Sequence, residues 1–272
     1  MNQLIRSLAA AVIIAISFSL FSCDDNEDGF GLTGKNGLPS MFRIDDNETY
    51  LSYSGNQLLL MMYENGATTA FNYEENAFQS ISLAPPPYPS IADGHGFVRF
   101  ERKGNKIRVI SSGEPTNVAS IKEIELDKNE LPAKITDMGY FEPSSEGYQK
   151  LYNGKDYSVL TFDPVTKNLL KRDIFSLKDS ILLKAYTYKY DNSPGSMSRV
   201  ELPSWFYAYW YQNYAGTAIF SQFLNHHNNM TEETVTDKET GEIHTTYNKY
   251  AYNGESYPVS CDNGNVVFEI RY

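Results

Sequence analysis

Beyond residue 40 the chain alternates short β-rich runs with polar turn signals at intervals of about ten residues. Ser54-Gly55-Asn56 separates Thr49–Tyr53 from Gln57–Tyr63, and Asn65-Gly66 precedes Ala67–Tyr73. Glu74-Glu75-Asn76 leads into Phe78–Leu83, and Lys103-Gly104-Asn105 joins Phe97–Arg102 to Lys106–Ser111 as a compact hairpin signal. Further turns fall at Asp127-Lys128-Asn129, Asn153-Gly154-Lys155, Asp163–Asn168, Asp191–Ser196, Asp237–Gly241, Asn253-Gly254 and Asp262–Asn265. All draw on Asn, Asp or Gly, which tolerate the positive φ of tight turns.

Between turns, side chains alternate. In Leu182–Tyr190 the even positions 186, 188 and 190 are Tyr, while Ala185, Thr187 and Lys189 are small or polar. In His244–Tyr252, Asn248, Tyr250 and Tyr252 share one face and Tyr247, Lys249 and Ala251 the other. Period two with aromatic payload predicts antiparallel strands with one packed and one wetter face. The fold class is mainly all-β: an antiparallel meander of hairpins curling into an open or partly closed barrel. Tyr188-Lys189-Tyr190-Asp191-Asn192 recurs loosely as Tyr250-Ala251-Tyr252-Asn253-Gly254, a weak internal repeat whose terminal edges are expected to be exposed.

One insertion, near 203–228, breaks the pattern as a helical or irregular segment. Pro203-Ser204 opens a helix with Ser204 as its cap, and seven of the ten residues from 205 to 214 are aromatic. Helical spacing groups Phe206, Trp210 and Tyr214, with Tyr207 and Tyr211 beside them; Ala215–Phe223 continues the helix and His226–Asn229 ends it. Two readings stand. The segment plugs the core of a curled sheet, as aromatic stripes usually do, or it presents Trp205, Tyr207, Tyr209, Trp210 and Tyr211 to a ligand such as a sugar ring.

The N-terminus is an address. Arg6 precedes an apolar run from Leu8 to Leu20, too short to span a bilayer and suited to a signal peptide. Leu20-Phe21-Ser22-Cys23 resembles the lipobox of bacterial lipoproteins, which implies cleavage before Cys23 and acylation of Cys23; the alternative is an ordinary secretory signal cut near Ser22. Asp24-Asp25-Asn26-Glu27-Asp28 resembles the surface-export signal of Bacteroidetes lipoproteins and serves equally as a solvated spacer. The domains are thus a lipoprotein signal peptide (1–22), an acidic, Gly-rich tether (23–39) and a single β-rich globular domain (40–272). The localisation that follows is the outer membrane, lipid-anchored and cell-surface exposed, with the membrane itself as one partner through the acyl chains.

The hairpins, the insertion at Pro203–Met230 and the closing Tyr250-Ala251-Tyr252-Asn253-Gly254-Glu255-Ser256-Tyr257-Pro258 resemble a Bacteroidetes lipoprotein family of unknown function. The likeness spans residues 95–272 and is strongest after Ile121. It implies a porin-like fold, a soluble curled antiparallel sheet approaching a barrel, and brings no catalytic residues. Glu255-Ser256 departs from the family pattern before Tyr257-Pro258.

Composition narrows the function further. The 272 residues carry 23 basic and 34 acidic side chains, which opposes nucleic acid as a partner. Tyr is abundant, at 21 residues against 2 Trp. Ile121–Leu126 and Leu169–Ile174 are too short and too charged for lipid-facing strands. No Gly-x-Ser-x-Gly, His-Glu-x-x-His or phosphate-cradling loop occurs, and the acidic residues cluster at turns, so the chain is read as no enzyme, with no cofactor and no metal site. Asp93 and His95 lack a third ligand, His226-His227 cannot share a helix face, and Cys261 is a packed thiol. The stiff loop Ala84–Gly96, with three consecutive prolines, is a spacer that presents Tyr88. The expected function is non-catalytic binding of an extracellular ligand, either a polysaccharide or an envelope or host protein. A structural accessory subunit docking through a sheet edge is the alternative, and an unrecognised hydrolase the third.

Overall fold

The structure is a computed structural model that describes residues 37–84, 96–113, 116–144, 147–214 and 227–272. Eighteen strands and one helix are present among the described residues. β1 (Met41–Ile44), β2 (Asn47–Ser54), β3 (Gln57–Tyr63), β4 (Thr68–Glu74) and β5 (Ala77–Ala84) come first. β6 (Gly96–Lys103), β7 (Lys106–Gly113), β8 (Thr116–Leu126) and β9 (Pro132–Ser144) follow. β10 (Gly147–Asn153), β11 (Asp156–Phe162), β12 (Leu169–Ser176) and β13 (Leu182–Pro194) lead to helix α1 (Ser204–Tyr214). β14 (Asn228–Asp237), β15 (Ile243–Tyr247), β16 (Lys249–Tyr252), β17 (Pro258–Asp262) and β18 (Val267–Arg271) complete the sheet.

Turn chemistry sets the hairpins. Glu75 and Asn76 both take positive φ, 49° and 64°, so β4 and β5 are joined by a two-residue loop whose twist matches the strands. After β11, the Asp163 carboxylate accepts from the N–H groups of Val165 and Thr166 at 2.8 and 2.7 Å, and these bonds hold its pKa below the usual range. Asp237 does the same with Glu239 and Thr240 after β14, at 2.9 and 3.1 Å. In both turns the chain returns through a residue at positive φ, Lys167 or Gly241.

Successive strands pair antiparallel, and β1 pairs with both β2 and β18, so the first strand meets the last. The expected exposure of the terminal edges is therefore corrected: Met41–Ile44 and Phe268–Arg271 satisfy each other, and Arg43 adds an ion pair to Glu269. β10 and β11 both pair with β9 at consecutive registers and act as one interrupted strand. β15 pairs with β14 and β16 with β17, so the segment 243–252 hands the sheet from one neighbour to the other at Asn248. There the Asn248 side-chain amide and the Tyr250 hydroxyl both donate to the Met230 carbonyl, at 2.7 and 2.9 Å. The result is a nearly closed antiparallel β-barrel with almost no helix.

One face of the sheet looks inward. Phe42, Leu51, Leu58, Met61, Phe71 and Ile81 belong to a single apolar core that also contains Phe206 of α1. The outer face carries charge: the register aligns Glu101, Arg108 and Glu123 across β6, β7 and β8, and Lys106 binds Glu123 at 2.7 Å. Lys171–Asp173 and Lys189–Glu232 add further outer pairs at 2.6 and 2.9 Å. On a lipid-facing wall each such Lys or Arg would cost about 2–4 kcal/mol near the midplane, and each carboxylate less, so this wall suits water. A small second cluster, Ile110, Ala119 and Ile121, is buried on the face of β7 and β8 opposite the core.

Three sequence expectations change. β8 has eleven residues, so charge rather than shortness is what opposes lipid at Ile121–Leu126. Asn153-Gly154-Lys155 is not a hairpin turn but the kink between β10 and β11, because the chain keeps its direction along β9. Asp191–Ser196 likewise does not end its strand at once; β13 runs irregularly on to Pro194.

The kink depends on close backbone approach. A Cβ on Gly154 would lie 1.8 Å from the Asp137 carbonyl oxygen, and one on Gly139, at φ +99°, 2.0 Å from that of Tyr152. Gly154→Ala is expected to destabilise the fold by about 1–3 kcal/mol in urea unfolding. Gly254→Ala, where nothing lies within 4 Å, is the control and is expected to leave the midpoint nearly unchanged.

Candidate functional site: a crevice in the barrel wall

The wall opens where a ladder stops short. β5 and β6 pair from Leu83↔Gly96 back to Ser80↔Arg99, and no further. One residue earlier, the β4–β5 register slips between Asn72↔Ser80 and Tyr73↔Phe78, leaving Gln79 as the extra residue of a bulge. A bulge bends its strand and increases local twist, so the β4–β5 and β6–β7 hairpins diverge from this point. The divergence leaves a crevice of about 920 Å³, within the range of small-ligand sites (roughly 300–1,000 Å³).

Its floor is aromatic. Phe78, Phe100 and Trp205 meet with ring centroids 5.2 Å (Phe78–Phe100) and 5.0 Å (Phe100–Trp205) apart, and Tyr73 lies 5.6 Å from Phe78. The Tyr73 hydroxyl donates to the Leu58 carbonyl at 3.0 Å, and burial, aided by Glu201, pushes its pKa up to about 12. Around the rim stand Arg99, Arg102, Glu74, Glu101 and Glu201. Arg99 pairs with Glu101 at 2.6 Å and Arg102 with Glu130 at 2.5 Å. Glu74 and Glu201 are exposed and have no ion-pair partner among the described residues. The site is thus amphipathic, apolar at depth and carboxylate-rich outside.

Helix α1 supplies the floor from within. Its first intrahelical-type bond runs from the Phe206 N–H to the Pro203 carbonyl at 2.8 Å, so Ser204 falls inside the first turn rather than capping it. Phe206 is fully buried and touches Phe71, Phe78, Phe100 and Trp210, with centroids between 4.8 and 6.3 Å away. Trp205 and Trp210 are each 7% exposed and Tyr209 3%; Tyr207 is half-buried and donates to the Val200 carbonyl at 3.4 Å. The described rings Trp205, Phe206, Tyr209 and Trp210 therefore fill the core, as the first of the two readings has it, and little of either indole is left for a partner. Among the described residues, Trp205 alone of the proposed ligand residues lines the crevice.

The Tyr211 side chain, Tyr88, Cys23, the Asp93–His95 pair, His226 and the expected helix continuation at 215–223 lie outside the described residues. His227 is described, half-buried, and burial pushes its pKa down. Cys261 is fully buried beside β16, with its pKa pushed up to about 12 by burial, as befits a packed thiol. Among the described residues, no group of three or more His, Cys, Asp or Glu is placed to hold a metal ion.

A second polar group faces the bore. The register Val109↔Lys122↔Asp137 puts Lys122 and Asp137 on the inner face, and Asp156 follows next to Asp137. Burial lowers the Lys122 pKa and raises that of Asp156, each opposed by the other's charge. Arg172 completes the group, donating to the Ser158 hydroxyl at 3.3 Å and lying 5.1 Å above the Tyr186 ring. Two cations here balance two carboxylates, so the group compensates itself.

Sequence reasoning missed Tyr73, Phe78, Phe100, Arg99, Arg102, Glu74 and Glu201. Each sits in an ordinary strand or turn, and only the bulge at Gln79 makes them a site; no local residue pattern announces that bulge.

Two outcomes follow from the packing. Phe206→Ala is expected to cost about 3–5 kcal/mol of stability by urea unfolding, because rings on several sides prevent collapse into the cavity. Tyr73 and Tyr209 are both held near pKa 12 by burial, against about 10 in the unfolded chain. An unfolded chain that gives up these protons first is favoured as pH rises, so stability should fall between about pH 10 and 12. Ultraviolet titration is expected to show tyrosines that ionise only together with loss of the folded spectrum.

No protein-family model matches the chain, and no curated protein does. Among solved structures it is similar to a porin-like protein from Bacteroides vulgatus, 9% identical, with a TM-score of 0.37, covering 86% of this chain and 98% of that one. A porin-like protein from Bacteroides uniformis is also similar, 14% identical, with a TM-score of 0.40, covering 85% of this chain and 96% of the other. Both neighbours are porin-like proteins from Bacteroides, the group named by the expected resemblance.

Proposed function

We propose that this chain is a non-catalytic binding protein, lipid-anchored through Cys23 on the outer face of the outer membrane. It captures an extracellular ligand, a polysaccharide or an envelope or host protein, in the wall crevice. The observation that carries the reading is the crevice itself: about 920 Å³ between two hairpins, with an aromatic floor and a charged rim. Two features support it. The outer wall carries ion pairs suited to water, and the bore around Phe206 is packed, which favours binding at the wall over passage through the barrel.

A second reading, an accessory subunit docked through a sheet edge, is favoured by β10. Gly147–Asn153 pairs only with β9 among the described residues, and Leu151 and Tyr152 are exposed there by 38% and 68%.

Affinity electrophoresis in a panel of extracellular polysaccharides, together with co-purification from intact outer membranes, tests both. Gln79→Trp, which fills the crevice from its bulge, is expected to abolish retardation or capture without loss of folding. Capture that survives Gln79→Trp but is lost in Leu151→Lys would transfer the function to the β10 edge, and no binding in either assay would sink the crevice reading.

A further inference from the structure

The same crevice has a feature that narrows its ligand. Past Ser80↔Arg99, Ala77 and Phe78 pair only with β4, Gln79 is the unpaired bulge residue, and Phe100–Lys103 pair only with β7. Each segment therefore turns one row of backbone N–H and C=O groups toward the gap without a strand to receive it. Had the ladder continued, Gln79, Phe78 and Ala77 would face Phe100, Glu101 and Arg102; the cavity stands where those pairs would have formed.

Resting on the capture reading above, we propose that the crevice receives an extended polypeptide segment of a partner protein, which adds to the split sheet as a strand. Main-chain hydrogen bonds to one or both open edges supply the affinity, and alternate side chains supply the selectivity. One side of an inserted strand meets Phe78, Phe100 and Trp205 and calls for an apolar residue. The other side meets the rim. There the two arginines are already engaged by Glu101 and Glu130, which leaves Glu74 and Glu201 to attract Lys or Arg. Charge complementarity thus points to a basic, alternating segment. A sugar polymer fits less well, because it has no alternating row of amide N–H and C=O groups to pair with the open strand edges past Ser80↔Arg99.

The test is panning of a random octapeptide library on the full-length chain, followed by hydrogen exchange with the enriched peptides in synthetic form. Enriched sequences are expected to alternate apolar residues with Lys or Arg, and to slow exchange at amides within 77–79 and 100–103. Methylating alternate peptide nitrogens should weaken binding about tenfold or more, since each lost main-chain bond is worth about that factor. Glu74→Lys combined with Glu201→Lys, both exposed, should weaken it about fivefold. Absence of enrichment, protection confined to other strands, or indifference to nitrogen methylation would each overturn the strand. If a polysaccharide binds and is lost in Gln79→Trp while peptides fail, the strand falls and the capture reading survives; if nothing binds, both fall.

Discussion

A ring of this many strands encloses more space than its own inward side chains can fill. About eight strands give a bore that wall residues close, and sixteen or more leave a channel unless something occupies it. The rest of this molecule follows from how that volume is filled. α1 enters with aromatics at seven of its eleven positions, and its rings meet Phe71, Phe78 and Phe100 of the wall around a fully buried Phe206. Trp205, Phe206, Tyr209 and Trp210 are all buried, so the described part of this helix serves the core from more than one face.

Filling a wide bore also explains the tyrosines. Their rings reach further than those of aliphatic residues, but each buried hydroxyl needs a partner. Tyr53 donates to Pro39, Tyr73 to Leu58, Tyr190 to Leu169 and Tyr272 to Pro258, at 2.8, 3.0, 3.0 and 3.0 Å. In every case the acceptor is a backbone carbonyl distant in sequence, so the hydroxyl ties neighbouring segments of wall together. Tyr250 works the same way at the seam, sharing the Met230 carbonyl with Asn248 where the β14–β15 ladder gives out. Side chains thus take over where the ladder cannot continue.

Curvature has a local consequence as well. A sheet closes by bulges and kinks, and they leave pairing unfinished where they fall. Gly139 and Gly154 allow β10 and β11 to bend along β9 without separating from it. The bulge at Gln79 ends differently: β5 leaves β6, and the wall parts above Trp205. The binding site proposed for this chain is therefore a product of closing the barrel, with the plug helix forming its floor.

Strand type, most turns and the inward row Tyr186, Tyr188 and Tyr190 were legible in the sequence, because period two and Asx or Gly turns are local and one segment suffices to show them. So was the presence of a helix beginning near Pro203 and rich in aromatic rings. Which way those rings point was not legible, since exposed stacking and core filling demand the same residues; only the enclosing wall decided for the core. Nor could the chain reveal that its first and last strands pair, that Asn153–Lys155 bends instead of turning back, or that Phe100 and Glu201 line one crevice. These depend on residues far apart in sequence being brought together by closure, and the balance that opens the wall at Gln79 exists only once every neighbouring strand is in place.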